Sequence, residues 1–168
     1  LQINPELPLW TDVHEFLAAG SGLGAECSAI ELDTVRLEST VALYSGEFMA
    51  GYYEDWVLAE RERLRDLLLT ILEQLVGTYK RRSEYEKALA PARRLAAEDP
   101  WREEAHREVM RLCHLLGRDA EALKQFQACH EALVTELGCP PSPETVALAR
   151  EIGTRSDLTG LPLLPATA

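Results

Sequence analysis

The fold of this chain is decided by two stretches of its sequence, LVGTYKRRSEYEKALAPA (residues 75–92) and VMRLCHLLGRDAEALKQF (residues 109–126). The second repeats the pattern of the first, so that Leu75 falls opposite Val109. That offset, about 34 residues, is the length of a helix pair, which buries its apolar stripe only against neighbouring pairs. The matched positions are Leu75, Tyr79, Tyr85, Ala88, Leu89 and Ala92, opposite Val109, Cys113, Asp119, Ala122, Leu123 and Phe126.

This period and pattern are typical of the tetratricopeptide repeat, a pair of antiparallel helices. The two copies each retain part of the pattern: Tyr79, Ala88 and Pro100 in the first, and Gly117, Ala122 and Phe126 in the second. We therefore predict an all-α, tetratricopeptide-like stack of about seven helices. Such stacks usually bind other macromolecules and rarely catalyse reactions.

The chain of 168 residues is strongly acidic, with a formal net charge of −11. Residues 1–54 hold nine acidic side chains and a single basic one, Arg36, whereas the remaining residues hold 19 acidic and 16 basic ones. This balance disfavours direct nucleic-acid binding, which needs clustered lysine and arginine. The sequence has no apolar run long enough for a membrane helix and does not start like a secretory signal, so a cytoplasmic protein is expected.

Prolines and glycines divide the chain into three regions. Residues 1–10 are interpreted as a linker, or as the last strand of a missing upstream domain, residues 11–152 as the helical domain, and residues 153–168 as a tail or linker. Within the helical domain, the apolar spacing and the turn residues predict helices at about 12–19, 30–44, 55–82, 83–97, 100–116, 119–136 and 143–152.

Several helix ends carry capping signals. Ser83 with Glu86 predicts a capping box, and Asp99 is the predicted N-cap before Pro100. Gly138 is predicted to end a helix in the left-handed conformation. Asp119 and Ser142 are further predicted N-caps, and Thr11 or Asp12 is predicted to cap the first helix. Residues 47–54 are expected to form an aromatic loop packed on the core, and Trp10, Trp56 and Trp101 are assigned mainly to the core by their size.

Three motifs suggest chemistry, and each has a simpler structural interpretation. Residues 20–25 match G-x-G-x-x-A, but no strand precedes them, so a flexible loop is favoured over a dinucleotide site. His14-Glu15 lacks the second histidine of a zinc protease, because position 18 is alanine. Cys113-His114 and Cys129-His130 resemble zinc ligands. However, the repeat places both cysteines at core positions, opposite Tyr79 and Leu95. We therefore predict no metal, no cofactor and no enzyme.

Taken in order, the motifs of the chain resemble the bacterial transcriptional activator domain of SARP-type and larger multidomain regulators. The resemblance extends from Trp10 to Ile152. It is carried by YSGEF with Gly51 and Trp56 (residues 44–56), ERERL (60–64), DPWREEAHR with Met110 (99–110), GRDAEAL (117–123) and ELGCPPSPET (136–145). Cys129 and Cys139 replace residues that are commoner in the family.

The resemblance implies a regulatory, protein-interaction module that supports self-association and activation, with DNA bound by a separate winged-helix domain absent from this sequence. The implied partners are a second copy, other domains of the parent regulator and RNA polymerase. A generic scaffold that binds a peptide, unrelated to transcription, is the alternative. The candidate partner-contact residues are Trp101, Arg102 and His106, although Trp101 is favoured as core, and Arg102 and His106 could instead pair with neighbouring groups.

Overall fold

The structure, a computed structural model, describes residues 11–21 and 34–155, without the side chains of 19–21 and 155. Seven α-helices account for most of these residues: α1 (Asp12–Ser21), α2 (Thr34–Leu43), α3 (Asp55–Arg81), α4 (Tyr85–Glu98), α5 (Glu103–Leu115), α6 (Asp119–Ala132) and α7 (Pro143–Arg155). The described ranges contain no strand, and the all-helical prediction is confirmed. The strand considered near the first residues and the tail beyond Arg155 lie outside these ranges. Of the loop predicted at residues 20–25, residues 22–25 also lie outside them, whereas Gly20 and Ser21 belong to α1, which runs past its expected end at residue 19.

The chain divides within α3 into two compact units, residues 1–78 and 79–168. In the first unit α1 packs on α2. Thr11 begins α1 as predicted, because its hydroxyl accepts the backbone N–H of His14 at 3.1 Å. The Phe16 ring lies 5.7 Å from that of Tyr44. In α2, Leu37 and Thr40 are buried, whereas Val35 is exposed.

The third helix has the apolar stripe that its sequence predicts. Its bounds, Asp55–Arg81, agree with the expected 55–82 to within one residue. Val57 and Leu72 are buried as well. A stripe of this width is typical of a helix that packs against neighbours along its whole length. The residues of the stripe, spaced by three or four, are all buried: Leu64, Leu68, Ile71, Leu75 and Tyr79.

In the second unit, α4 packs on α5, α5 on α6, and α7 on both α5 and α6. The connections are only a few residues long, as in antiparallel helix pairs. The repeat equivalences are confirmed, because Tyr79 and Cys113 are both buried, as are Leu95 and Cys129. Buried cysteine therefore packs as a small apolar side chain here.

The ends of α3 and α5 correct one predicted cap. Ser83 does not cap α4, because it adopts the left-handed conformation with φ of 58°. Its N–H donates to the carbonyl of Lys80, and the N–H of the next residue donates to that of Tyr79. This is a Schellman motif that closes α3. Gly117, the equivalent residue of the second copy, has φ of 71° and closes α5 with the same pair of hydrogen bonds.

Two other predicted N-caps are also wrong. Asp99 and Pro100 form a turn, and α5 begins only at Glu103, with Arg102 as its N-cap. Asp119 is the first residue of α6, with Arg118 as N-cap and no side-chain cap. The Asp119 carboxylate instead accepts the Nδ1–H of His114 at 2.5 Å. In both cases the aspartate that the local pattern predicted as an N-cap makes another contact: Asp99 lies in a turn, and Asp119 bonds to His114.

The last two helices have the predicted turn residues. The α6 helix continues as a π-helical turn, Leu133–Leu137, and ends at Gly138 with φ of 66°, as predicted. Ser142 precedes Pro143, the first residue of α7, and its carbonyl accepts the N–H of Val146 at 3.1 Å. The α7 helix runs to Arg155, past its expected end at Ile152.

Candidate partner-binding surfaces

Trp101 lies in the turn before α5 and is not a core residue. Its side chain is 43% exposed. The indole Nε1–H donates to a carboxylate oxygen of Glu136 at 3.1 Å, which ties the turn to the end of the π-helical turn. Val134 and Leu137 in that turn are also exposed. The assignment of Trp101 to the core is therefore wrong, and its ring retains surface for a partner.

Arg102 and His106 differ in how much of their side chains is exposed. Arg102 is half-buried at the N-cap of α5. His106 is only 3% exposed. Its Nε2 lies 3.0 Å from the carbonyl oxygen of Pro100, and its Nδ1 lies 2.7 Å from the side-chain amide of Gln125. Burial lowers the pKa of His106 below its ordinary value. His106 is therefore a buried link between the turn and α6, and almost none of its side chain is exposed to a partner.

A partly buried polar network joins α5 to α7. The Glu103 carboxylate accepts the backbone N–H of Ser142 at 2.9 Å and its hydroxyl at 2.7 Å. It also accepts the hydroxyl of Thr145, which is fully buried. Arg107 donates to Thr145 Oγ1 at 2.8 Å and to Ser142 Oγ at 3.3 Å. Glu103 therefore supplies from another helix what a capping-box glutamate supplies within one.

Glu103 is held ionised by this network. Burial alone would raise its pKa, but the hydrogen bonds from Thr145 and Ser142, with the charge of Arg107, outweigh burial and lower the pKa below 4.5. Every group in the network has a partner within it, so the arrangement is a structural joint. It leaves no free nucleophile or base among these four residues.

An aromatic segment before α3 is the exposed feature that the sequence analysis misplaced. Tyr52, Tyr53 and Trp56 were expected to pack on the core, yet Trp56 is 59% and Tyr53 is 75% exposed. Val57, next to Trp56, is fully buried. Adjacent helical residues point about 100° apart, so only one of the two can face inward. Phe48, also expected in the core, is half-buried.

Arg61 holds this loop by its backbone. Its guanidinium donates to the carbonyl oxygens of Phe48 and Met49, each at 2.7 Å, and to that of Tyr52 at 3.0 Å. It also pairs with Glu47 at 3.0 Å. The anchor is therefore a half-buried cation and not the aromatic rings. In the sequence, the only signal was an arginine just over one turn after a tryptophan, in a helix whose buried face was otherwise apolar.

The cysteines that resemble zinc ligands are buried in the helix pairs. Burial raises the pKa of Cys113 and raises that of Cys129 to about 11, so both remain thiols at neutral pH. Within the described ranges, no group of three or more histidine, cysteine or acidic side chains is placed to hold a metal ion. Cys27 lies outside those ranges, and Cys113, Cys129 and Cys139 are free thiols.

Five arginines of the second unit form ion pairs with acidic side chains. Arg93 pairs with Glu121 across helices, and Arg118 pairs with Glu86 at 3.0 Å. Further arginine pairs within these helices are Arg94 with Glu98, Arg107 with Glu103 and Glu104, and Arg111 with Glu108.

Across the described helices, none has the length and apolar content of a membrane span.

The fold defines the class of this protein: an all-helical, tetratricopeptide-like repeat domain. The α7 helix is attached to α5 by a polar joint, and aromatic side chains are exposed in both units. Residues 11–153 match the bacterial transcriptional activator domain, and the chain belongs to that family.

Two relatives are regulators. The chain is 29% identical over 129 residues to regulatory protein AfsR of Streptomyces coelicolor, covering 77% of this chain and 13% of AfsR. It is 26% identical over 147 residues to regulatory protein AfsR of Streptomyces griseus, covering 88% of this chain and 15% of AfsR. The chain thus spans about a seventh of the length of these curated relatives.

A solved structure shares the fold alone. It is the C-terminal TPR-containing domain of an FK506-binding protein of Plasmodium falciparum. The TM-score is 0.56 at 12% sequence identity, with 87% of this chain and 93% of that chain covered. This similarity confirms the tetratricopeptide-like architecture that the repeat offset predicted.

Proposed function

We propose that this chain is the regulatory, protein-interaction module of a bacterial transcription activator. It acts by self-association and by contacts with other domains of its regulator and with RNA polymerase, while a separate domain binds DNA. The observation that carries the proposal is the family match over residues 11–153. The exposed aromatic side chains of both units support it, because tryptophan and tyrosine are enriched where proteins bind one another.

Trp101 and Arg102 are the residues of the second unit that we propose to meet a partner. The hydrogen bond to Glu136 fixes the indole, so little side-chain entropy is lost when a partner covers it. His106 supports them from below by fixing the turn through the carbonyl of Pro100. The role needs no catalytic group, and the polar joint between α5 and α7 serves it by keeping the helices in place.

The test is an assembly measurement on the purified chain and on its parent regulator. Sedimentation velocity over a wide concentration range should show a concentration-dependent dimer, and pull-down should recover the chain with other regulator domains or RNA polymerase. Trp101→Ala should weaken at least one of these associations about tenfold, since loss of a buried aromatic anchor commonly costs over about 1 kcal/mol. A chain that stays monomeric and binds none of these partners would refute the proposal.

A further inference from the structure

The segment Tyr53-Glu54-Asp55-Trp56, named here the YEDW segment, has two acidic residues between two exposed aromatic residues in the sequence. We propose that it is a docking surface for an arginine-rich segment of a partner protein. This inference rests on the proposed function and names the chemistry of one partner. All four residues are exposed, and the segment leads into the first turn of α3.

The segment is presented on a fixed backbone. Arg61 ties down the carbonyls of Phe48, Met49 and Tyr52, and the backbone N–H of Val57 donates to the carbonyl of Glu54 at 2.8 Å. The rings therefore do not hold the loop in place and remain exposed. A partner that covers them loses little backbone entropy in doing so.

The chain already contains the contact that a partner arginine would make. The guanidinium of Arg61 lies 5.8 Å from the centre of the Tyr53 ring, a cation–π distance. Tyr53 is nevertheless 75% exposed, so most of its surface remains uncovered. Trp56 is the better ring for such a contact, because tryptophan has the strongest cation–π attraction.

The charge around the rings selects a cation. Nearby carboxylates are already neutralised, since Glu47 pairs with Arg61, Glu60 with Arg63 and Glu62 with Arg65. By contrast, Glu54 and Asp55 form no ion pair with any residue that the structure describes. Asp55 also complements the dipole of α3, but Glu54 lies before the helix and keeps its charge for a partner.

The same charge disfavours a second copy as the occupant. Two copies facing each other through this segment would bring the exposed carboxylates of Glu54 and Asp55 against their equals, and like charges repel. Arginine suits the surface better than lysine, because its planar guanidinium can stack on a ring and still donate to a carboxylate. The occupant we infer is therefore a basic protein segment containing arginine.

The first test measures binding of a labelled peptide of alternating arginine and glycine to the whole chain, by fluorescence anisotropy at low salt. Trp56→Ala should weaken binding about five- to tenfold, the range expected for one cation–π contact of about 1 to 1.4 kcal/mol. The lysine version of the peptide should bind more weakly than the arginine version. The matched control is Leu115→Ala, which removes an exposed apolar side chain at the end of α5 and should change nothing.

The second test separates the site from the overall negative charge. Glu54→Gln combined with Asp55→Asn removes the same charge as Glu131→Gln combined with Glu144→Gln, which are exposed acids of α6 and α7. The first pair should weaken peptide binding several-fold more than the second. Equal losses would overturn the proposal, because they would show binding to the general acidity of the chain.

Self-association supplies the remaining outcome. If Trp56→Ala converts a dimer into a monomer in sedimentation, a second copy occupies the surface and the inference is overturned. Failure of the peptide to bind, in a chain whose parent regulator still assembles, overturns this inference and leaves the proposed function standing. Helix content by circular dichroism should be unchanged in all variants. If Trp56→Ala unfolds, the Glu54/Asp55 pair still decides the question.

Discussion

At the scale of single residues, equivalent turn positions of the two repeat copies end their helices in the same way. Ser83 and Gly117 occupy equivalent positions of the two repeat copies, both have positive φ, and both close a helix with the same two hydrogen bonds. Glycine adopts this conformation freely, whereas a residue with a Cβ is strained by about 1 kcal/mol. The second turn therefore has the better residue.

Exchanging these two residues should move stability in opposite directions. Gly117→Ser should lower the free energy of unfolding by about 1 kcal/mol, and Ser83→Gly should raise it by up to about 1 kcal/mol. No heavy atom outside the neighbouring residues lies within 4 Å of a Cβ built at Gly117, so the cost is conformational. Urea unfolding followed by circular dichroism measures both, and a neutral Gly117→Ser would contradict the argument.

Gly138 offers a second test of the left-handed conformation. Its φ of 66° strains any β-branched residue, so Gly138→Val should destabilise the chain by about 2 kcal/mol. Gly46→Val is the matched control, because Gly46 is not among the positive-φ glycines and a Cβ there meets nothing within 4 Å. Thermal unfolding should show a clear loss for the first variant and little for the second. Equal shifts would mean that strain is not the cause.

Sequence reasoning at this scale succeeded where burial decides and failed where two local patterns compete. The buried roles of Cys113 and Cys129 followed from their repeat partners. Ser83 fits both a capping box with Glu86 and the end of α3, and only its alignment with Gly117 favours the second. Trp56 was wrongly assigned to the core because that assignment used only its size. Val57, the next residue of the helix, points inward, so Trp56 points toward solvent.

At the scale of elements, α7 is attached by polar contacts as well as by apolar packing. Glu103 and Arg107 on α5 meet Ser142 and Thr145 at the start of α7. Ala149 and Ile152 of α7 are buried. Since a partly satisfied polar network costs more than an apolar one, the joint should respond strongly to the loss of one member.

Glu103→Gln should therefore destabilise the chain by about 2 kcal/mol, the value of hydrogen bonds to a charged group. Glu104→Gln is the neighbouring control. Glu104 is exposed and pairs with the same Arg107 at 2.7 Å, and exposed pairs contribute about 0 to 1 kcal/mol. Urea unfolding of both variants decides the point. A loss for Glu104→Gln as large as that for Glu103→Gln would show that the buried hydrogen bonds are not what holds α7.

The stability conferred by Glu103 should also depend on pH. Because its pKa is lowered in the folded state, its contribution is complete above the unfolded value near 4.5 and is lost as pH falls through the folded value. The difference in unfolding free energy between the unmodified chain and Glu103→Gln should therefore shrink below about pH 4.5. The lowered pKa of His106 also destabilises both proteins in acid, so the assignment to Glu103 rests on the change below about pH 4.5, where the Glu103 carboxylate itself takes up a proton. A difference that stays constant down to pH 3 would contradict this assignment.

Helix existence was predictable from the apolar period, and helix bounds were less so. The fifth helix was expected from Pro100, a good first helical residue. In the structure the carbonyl of Pro100 accepts from His106, and the residues from Asp99 to Arg102 form a turn. A contact between residues six apart in the chain thus outweighs the local signal. The joint between α5 and α7 could not be predicted, because its members are far apart in the sequence and only the packed helices bring them together.

At the scale of the whole molecule, the negative net charge and the pairing of arginines with acids disfavour binding to DNA. The formal net charge is −11, and the arginines of α4 to α6 described above are engaged with acids. Binding to DNA needs cations that are free to replace the counterions of phosphate. The repeat offset predicted the architecture, whereas the proposed function could be predicted only from the ordered motifs of the family.

We therefore predict that this chain alone forms no sequence-selective complex with DNA. A gel-shift experiment at low salt, with promoter fragments controlled by the parent regulator, should show no discrete band at micromolar protein. The parent regulator is the positive control on the same fragments. A sequence-selective band with the chain alone would refute the prediction and would require a basic surface that pairing with acids does not neutralise.

The exposure of Trp56 and Trp101 has a consequence for spectroscopy. Tryptophan emission depends on how much water surrounds the indole. In this chain Trp56 is 59% and Trp101 is 43% exposed to water in the native state. Their emission should shift little on unfolding but should move to shorter wavelength when a partner covers either ring. The chain thus carries its own optical reporters of association, one in each unit, and replacing one tryptophan at a time by phenylalanine would tell which surface is occupied.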